Sequence, residues 1–301
     1  MKIHSTSYFK NEMKRDEFFK SWISRLEKLN ETVYQSVEII TSLGKTKIWQ
    51  FNAERTDLKT LIIFPGFRTS SLFWDTDNAL KQLKSNFRIF LVETNGQPVL
   101  SEGKTPNIRS NDYGVWGIEV LDKLKIENCS IAGASFGGLV CVKMGLVAPE
   151  RIEKMFLLNP GCLQTFSFSW KNMYYNFLPL ISPTKKNIRT FLENGVFFPG
   201  HHMPSPAALE ALIDFEHFAI TEYVDKAQKP YAIPAKELSA LKSKVYLLLG
   251  EKDLLFPYQK SEDVARKSFR NLVDVRVLKN TGHGIETSKE AINIIIDAML
   301  N

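Results

Sequence analysis

Ser135 stands in Gly133-Ala134-Ser135-Phe136-Gly137, where an apolar run from Asn128 to Gly133 passes abruptly into a helical pattern. A G-x-S-x-G turn from buried strand to helix puts the serine at an apex. The turn is so tight that the neighbouring backbones leave no room for side chains at Gly133 and Gly137. A serine hydroxyl is a poor nucleophile at neutral pH, so this reading requires a base to take its proton and an acid to orient that base. The chain has five histidines: His4, His201, His202, His217 and His283. Of these, His283 lies in Asn280-Thr281-Gly282-His283-Gly284, between a strand-like Val273 to Leu278 and a helix-like Ile285 to Leu300. A loop in that position can swing the ring over the serine. The acid candidates follow the buried-strand pattern Lys244 to Gly250, in Glu251-Lys252-Asp253. The loop must carry a carboxylate past the strand end toward the histidine, which favours Asp253 and keeps Glu251 in reserve. Attack on a carbonyl also builds negative charge on its oxygen, so two backbone N–H groups should converge near Ser135. Phe136 offers one, and Phe67 offers the other from the Pro65-Gly66 turn that ends the apolar run Thr60 to Phe64.

In this order and context the motifs resemble those of the α/β-hydrolase superfamily, and more narrowly those of bacterial carboxylesterases with a helical cap. The likeness covers about residues 35 to 300. It includes the amphipathic run Asn111 to Asn128, the segment Ala148-Pro149-Glu150-Arg151-Ile152, and Glu93-Thr94-Asn95-Gly96-Gln97-Pro98, where many relatives have an aspartate-glycine loop. The resemblance implies the order serine, acid, histidine and a G-x-x-D placement of the acid, which again points to Asp253. Some members keep the acid at the end of the preceding strand. Here that position is Asn159, which cannot serve as a charged partner. Where relatives often have His-Gly, this chain has Pro65-Gly66, so histidine support for the oxyanion loop is missing.

The implied fold is α/β: a mostly parallel eight-stranded sheet with helices on both faces and a helical cap insertion. The implied activity is cleavage of a carboxylic ester of a small, largely apolar substrate through an acyl-serine, with no cofactor. The same triad serves carbon–carbon bond hydrolases, thioesterases, amidases, lactonases and acyltransferases, and a binding protein on a hydrolase scaffold is the alternative of another class. Serine rather than aspartate at the apex excludes the haloalkane dehalogenase and epoxide hydrolase variants.

The elements that must carry these residues are legible in the pattern of apolar positions. Strands are expected near 36–41, 45–52, 60–64, 87–92, 128–133, 154–159, 244–250 and 272–278, with helices between the later ones, as in a parallel sheet covered on both sides. Residues 12 to 30 form an amphipathic helix, with Phe18, Phe19, Trp22, Ile23, Leu26 and Leu29 at helical spacing. Packing on the core is its expected role. A membrane-surface or homodimer contact is the alternative, because Lys14, Arg15, Lys20, Arg25 and Lys28 are interleaved. From Gly161 to about Ser239 no strand pattern is seen and aromatics are dense, as expected of a cap above the serine with an apolar inner face. The expected organisation is therefore an N-terminal helix in 1–34, a core in 35–160 and 240–301, and a cap in 161–239.

With 301 residues, 44% hydrophobic, the chain can bury a full core. Its net charge of +6 is spread without a dense basic block, so no nucleic-acid partner is expected. Cys129, Cys141 and Cys162 form no Cys-x-x-Cys, and reduced, buried thiols are expected. Adjacent His201 and His202 lack an Asp or Cys to complete a metal set. A charged N-terminus and the absence of any run near ~20 apolar residues make a cytoplasmic protein without a membrane span the expectation.

Overall fold

The computed structural model describes residues 1–301. Two short strands open the chain, β1 (Ile3–Thr6) and β2 (Tyr8–Phe9), followed by the helix α1 (Glu12–Leu29). Next come β3 (Gln35–Thr41), β4 (Gly44–Phe51), β5 (Thr60–Phe64), α2 (Lys81–Asn86), β6 (Arg88–Val92) and β7 (Lys104–Pro106). The chain continues through α3 (Asp112–Lys123), β8 (Cys129–Ala134), α4 (Phe136–Val147) and β9 (Ile152–Leu158). After an interval containing α5 (Trp170–Ile181), α6 (Lys185–Phe191), α7 (Pro206–Glu222), the two-residue β10 (Tyr223–Val224) and α8 (Ala235–Leu238), it closes with β11 (Lys244–Gly250), α9 (Tyr258–Ser268), β12 (Leu272–Leu278) and α10 (Lys289–Leu300).

Eight strands form one sheet in the order β12-β11-β9-β8-β5-β6-β4-β3. Pairings from β6 through β5, β8, β9 and β11 to β12 are parallel, and β4 lies antiparallel to both β6 and β3. The period-two alternation of strand side chains sorts the core into two layers. Leu61, Ile63, Ile89, Leu91, Ala132 and Phe156 face a layer that includes α1, α2, α7 and α10. Ile62, Phe64, Phe90, Ile131, Met155 and Leu247 face the other, built from α3, α4 and α9. The fold is that of an α/β-hydrolase, and it gathers the carboxyl ends of the parallel strands, the usual place for a ligand, along one edge.

The N-terminal helix has no free apolar face. Phe19, Trp22 and Leu26 are buried, Trp22 Nε1 donates to the Ala211 carbonyl at 2.8 Å, and Phe18 stacks on Phe218 with ring centroids 3.9 Å apart. Both partners belong to α7, so α1 braces one of the helices that lie between β9 and β11. Two small pairings tighten this: β1 with β7, and β2 with β10. The strand β10 falls within the interval that the sequence pattern leaves without strands. It is two residues long and exists only through its partner Tyr8–Phe9, so local alternation could not announce it.

Candidate active site

The turn between β8 and α4 forces Ser135 into φ 50°, ψ −109°, a conformation that costs a non-glycine residue about 1–3 kcal/mol. The surrounding backbone holds it there. Ser135 N–H donates to the Leu158 carbonyl at 2.9 Å, and its own carbonyl accepts from Gly138 N–H at 3.1 Å and Gly161 N–H at 3.0 Å. A Cβ at Gly133 would overlap the Gly137 carbonyl, and one at Gly137 would overlap the Phe64 carbonyl of β5. The two glycines are therefore what allow α4 to start against β8 and β5. The Ser135 side chain is half-buried, and its Cβ lies 3.7 Å from where a Gly66 side chain would begin.

That proximity brings the β5 loop to the serine. Phe67 and Phe136 have ring centroids 6.0 Å apart, and neither backbone N–H donates a hydrogen bond within the protein. The rest of the loop is held from outside. Gln97 Oε1 accepts from Arg68 N–H at 2.7 Å, and the buried Glu93 carboxylate accepts from Ser70 Oγ at 2.6 Å, Ser71 N–H at 3.1 Å and Trp49 Nε1 at 2.8 Å. Burial pushes the Glu93 carboxyl up from its ordinary value, while these donors pull it back. Arg68, in the left-handed region at φ 64°, reaches the Ala219 carbonyl of α7 at 3.3 Å and Asp225 at 3.5 Å. On α7, Glu216 is buried, and desolvation, moderated by Arg68, pushes its carboxyl up to about 7.

Asp253 and His283 meet. Asp253 Oδ1 accepts from Leu255 N–H at 2.8 Å and Phe256 N–H at 3.0 Å, which turns Oδ2 toward His283 Nδ1 at 2.8 Å. The carboxylate fixes the tautomer: Nδ1–H donates, leaving Nε2 as the free acceptor. Burial by itself disfavours the imidazolium, but the charge and hydrogen bond of Asp253, with a smaller contribution from Glu286, outweigh it and raise the His283 pKa above 6.5. Glu251 is turned elsewhere, accepting from Asn280 N–H at 3.0 Å and lying 3.4 Å from Lys252 Nζ. Ser135 Oγ makes no hydrogen bond, and the Nε2 side of His283 is likewise unbonded while Nδ1 is held by Asp253.

Asn159, not an acid, has a role that residue type alone does not reveal. It sits at φ 39° where β9 ends, one residue after the carbonyl that holds Ser135. Its Oδ1 accepts from Gly250 N–H at 2.8 Å, and its Nδ2 donates to the carbonyls of Gly282 at 3.1 Å and His283 at 3.0 Å. One amide thus ties the serine turn, the Asp253 strand and the His283 loop together. The Asn-Pro-Gly that ends an apolar strand was the available signal. From the inserted interval, Val196 O accepts from Gly284 N–H at 3.0 Å, and His202 Nδ1 accepts from Gly282 N–H at 3.4 Å while Nε2 meets Thr287 Oγ1 at 3.0 Å. Burial pushes His202 down to about 4, so it is a neutral clamp on the His283 loop. His201 stacks on Phe198, His217 is half-buried on α7, and His4 is exposed on β1. The three cysteines are free and buried, and burial raises the Cys129 and Cys162 thiols to about 12.

No family model matches the chain. The uncharacterized carboxylesterase nap of Bacillus subtilis is 26% identical over 257 residues, covering 83% of this chain and 80% of that protein. Carboxylesterase YbfK of the same organism is 24% identical over 253 residues, 81% of this chain and 80% of its own length. The crystal structure of naproxen esterase from Bacillus subtilis superposes with a TM-score of 0.78 at 21% identity, covering 95% of this chain and 98% of that one. The chain thus has the α/β-hydrolase fold and is similar in sequence to bacterial carboxylesterases.

Proposed function

We propose that the protein hydrolyses a carboxylic ester of a small, largely apolar molecule through an acyl-Ser135 intermediate. The observation that carries this reading is the 2.8 Å bond from His283 Nδ1 to an Asp253 carboxylate already oriented by two backbone N–H groups, in a loop that Asn159 ties to the Ser135 turn. Ser135 Oγ attacks the ester carbonyl while His283 Nε2 takes its proton, and the resulting imidazolium is stabilised by Asp253. The N–H groups of Phe67 and Phe136 receive the oxyanion. As the tetrahedral intermediate collapses, His283 returns the proton to the departing alcohol. A water deprotonated by His283 then frees the acid. The printed names of the relatives, carboxylesterases, support an ester as the bond cleaved.

For the substrate, the reading rests on the rings beside the base and the oxyanion loop. Phe256 lies 5.6 Å from the His283 ring, the part-buried Phe166 lies 6.4 Å beyond it, and Phe67 of the oxyanion loop is part-buried. Residues 161–239 act as the cap over this apolar space.

Three outcomes test the proposal. Ser135→Ala or His283→Ala lowers turnover of a nitrophenyl ester by at least ~10³ with the fold retained, since only binding and the oxyanion donors remain; near-normal activity in Ser135→Ala contradicts the assignment. The base must be neutral to accept a proton, so kcat/KM rises with pH through an apparent pKa above 6.5, in keeping with the raised His283 value. In Asp253→Asn the cause of that elevation is gone, so the limb moves to lower pH as activity falls; a limb that stays put would shift the orienting role away from Asp253. Across straight-chain acyl esters, kcat/KM increases from acetyl to medium chains, because each buried methylene contributes ~0.8 kcal/mol when the burial is realised in the transition state; a flat series contradicts the apolar pocket.

A further inference from the structure

The outward side of α5 is apolar and uncovered. Trp170, Tyr174, Phe177 and Ile181 recur at spacings of four, three and four, which places them in one stripe along the helix. All are exposed, Trp170 by 74% and Ile181 by 81%, and Phe168 just before the helix is exposed by 77%. The opposite side does the packing: Asn172 and Pro179 are buried, and Tyr175 lies against Gly195. Apart from the edge contact of Tyr174 with Tyr175 at 5.3 Å, the stripe has no ring contact within the protein, and large exposed aromatics gathered on one side mark an interaction surface.

Charge identifies the partner. Between Glu153 and Glu193 the sequence has no acidic residue. Of the cations on α5 and α6, Lys185 is paired with Asp214 and Arg189 with Glu193, whereas Lys171 and Lys186 are exposed and form no ion pair. A second copy of the chain fits poorly, because a two-fold contact lays the same patch on itself and would oppose lysine to lysine with no acid between. Anionic phospholipid headgroups supply the missing charge, and Trp and Tyr rings with basic neighbours suit the boundary between headgroups and acyl chains. The stripe is also connected to the candidate site by a series of edge-to-face and tilted ring contacts: Phe168 to Phe166 at 6.3 Å, Phe166 to Phe256 at 6.4 Å, and Phe256 to His283 at 5.6 Å. We propose that the exposed side of α5 docks on an anionic phospholipid bilayer with the helix lying in the plane of the interface, and that the Phe168-Phe166-Phe256 series leads apolar molecules from that surface toward His283. No helix of the chain is long and apolar enough to cross a membrane, so the contact is peripheral.

Sedimentation of the full chain with vesicles tests the docking independently of the reaction proposed above. Vesicles of phosphatidylcholine with phosphatidylglycerol bind the protein, and added salt or pure phosphatidylcholine weakens the binding. The triple variant Trp170→Ser, Phe177→Ser, Ile181→Ser loses at least ~10-fold in vesicle affinity, and the pair Lys171→Glu, Lys186→Glu loses ~10-fold or more. All these side chains are exposed, so the circular dichroism spectrum and unfolding midpoint stay as in the parent. Absence of binding to the phosphatidylglycerol vesicles, or binding that neither variant changes, overturns the proposal. So does a dimer, seen by light scattering, that the triple variant dissociates while vesicles fail to bind, since the occupant is then a second copy.

Discussion

The backbone at Ser135 is the constraint on which the rest of this protein is arranged. A residue with a Cβ is held at φ 50° by hydrogen bonds on both sides, and it can be so only because β5, β8 and α4 meet with no side chains between them at Gly133 and Gly137. The conformation is costly, of the order of 1–3 kcal/mol, and the surrounding sheet over-determines it. Three consequences follow from that one geometry. The serine side chain stands clear of the helix it precedes. The Phe136 N–H, at the start of α4, has no intrahelical partner and is free to receive an anion. Because the Gly161 N–H also holds the Ser135 carbonyl, the β9 loop is pinned beside the turn, and Asn159 is brought to where it can reach the other two loops.

The catalytic arrangement proposed here thus depends more on loop anchoring than on the triad residues by themselves. Each loop that would touch substrate is tied by a buried polar group placed outside the reacting atoms. Glu93 and Gln97 fix the loop of Phe67, two backbone N–H groups fix Asp253, and Asn159 with His202 fixes the loop of His283. Buried polar atoms of this kind are costly unless satisfied, and when satisfied they leave a single geometry. The neutral state of His202, pushed down to about 4 by burial, lets it accept from Gly282 without adding a charge near the base.

Much of this was readable from residue order. The central parallel strands β5, β6, β8, β9 and β11 coincide with continuous apolar runs, because they are buried on both faces, while β3, β4 and β12 toward the edges show as alternating patterns. Ser135 and His283 were legible because glycines bracket them where strands end. Choosing Asp253 over Glu251 needed the argument that the loop must project past the strand, and the structure aims Asp253, not Glu251, at the histidine. The supporting residues were hidden for a physical reason. Asn159, Gln97 and His202 act through partners at sequence separations of 91, 29 and 80 residues. Nothing in local pattern encodes such contacts. The same holds for β10, a strand only by virtue of Tyr8 and Phe9, and for the bracing of α7 by α1, where amphipathicity predicts a buried face but not which surface buries it.

The central claim is that Ser135 is activated by His283 to attack a carbonyl-like centre. It is tested most directly by treating the protein with an alkyl fluorophosphonate and mapping the adduct by peptide mass spectrometry. The account predicts stoichiometric modification of Ser135 and of no other residue, with the rate of labelling collapsing in His283→Ala because the serine then has no base to take its proton. Modification at a different residue, or undiminished labelling of Ser135 without His283, would contradict it.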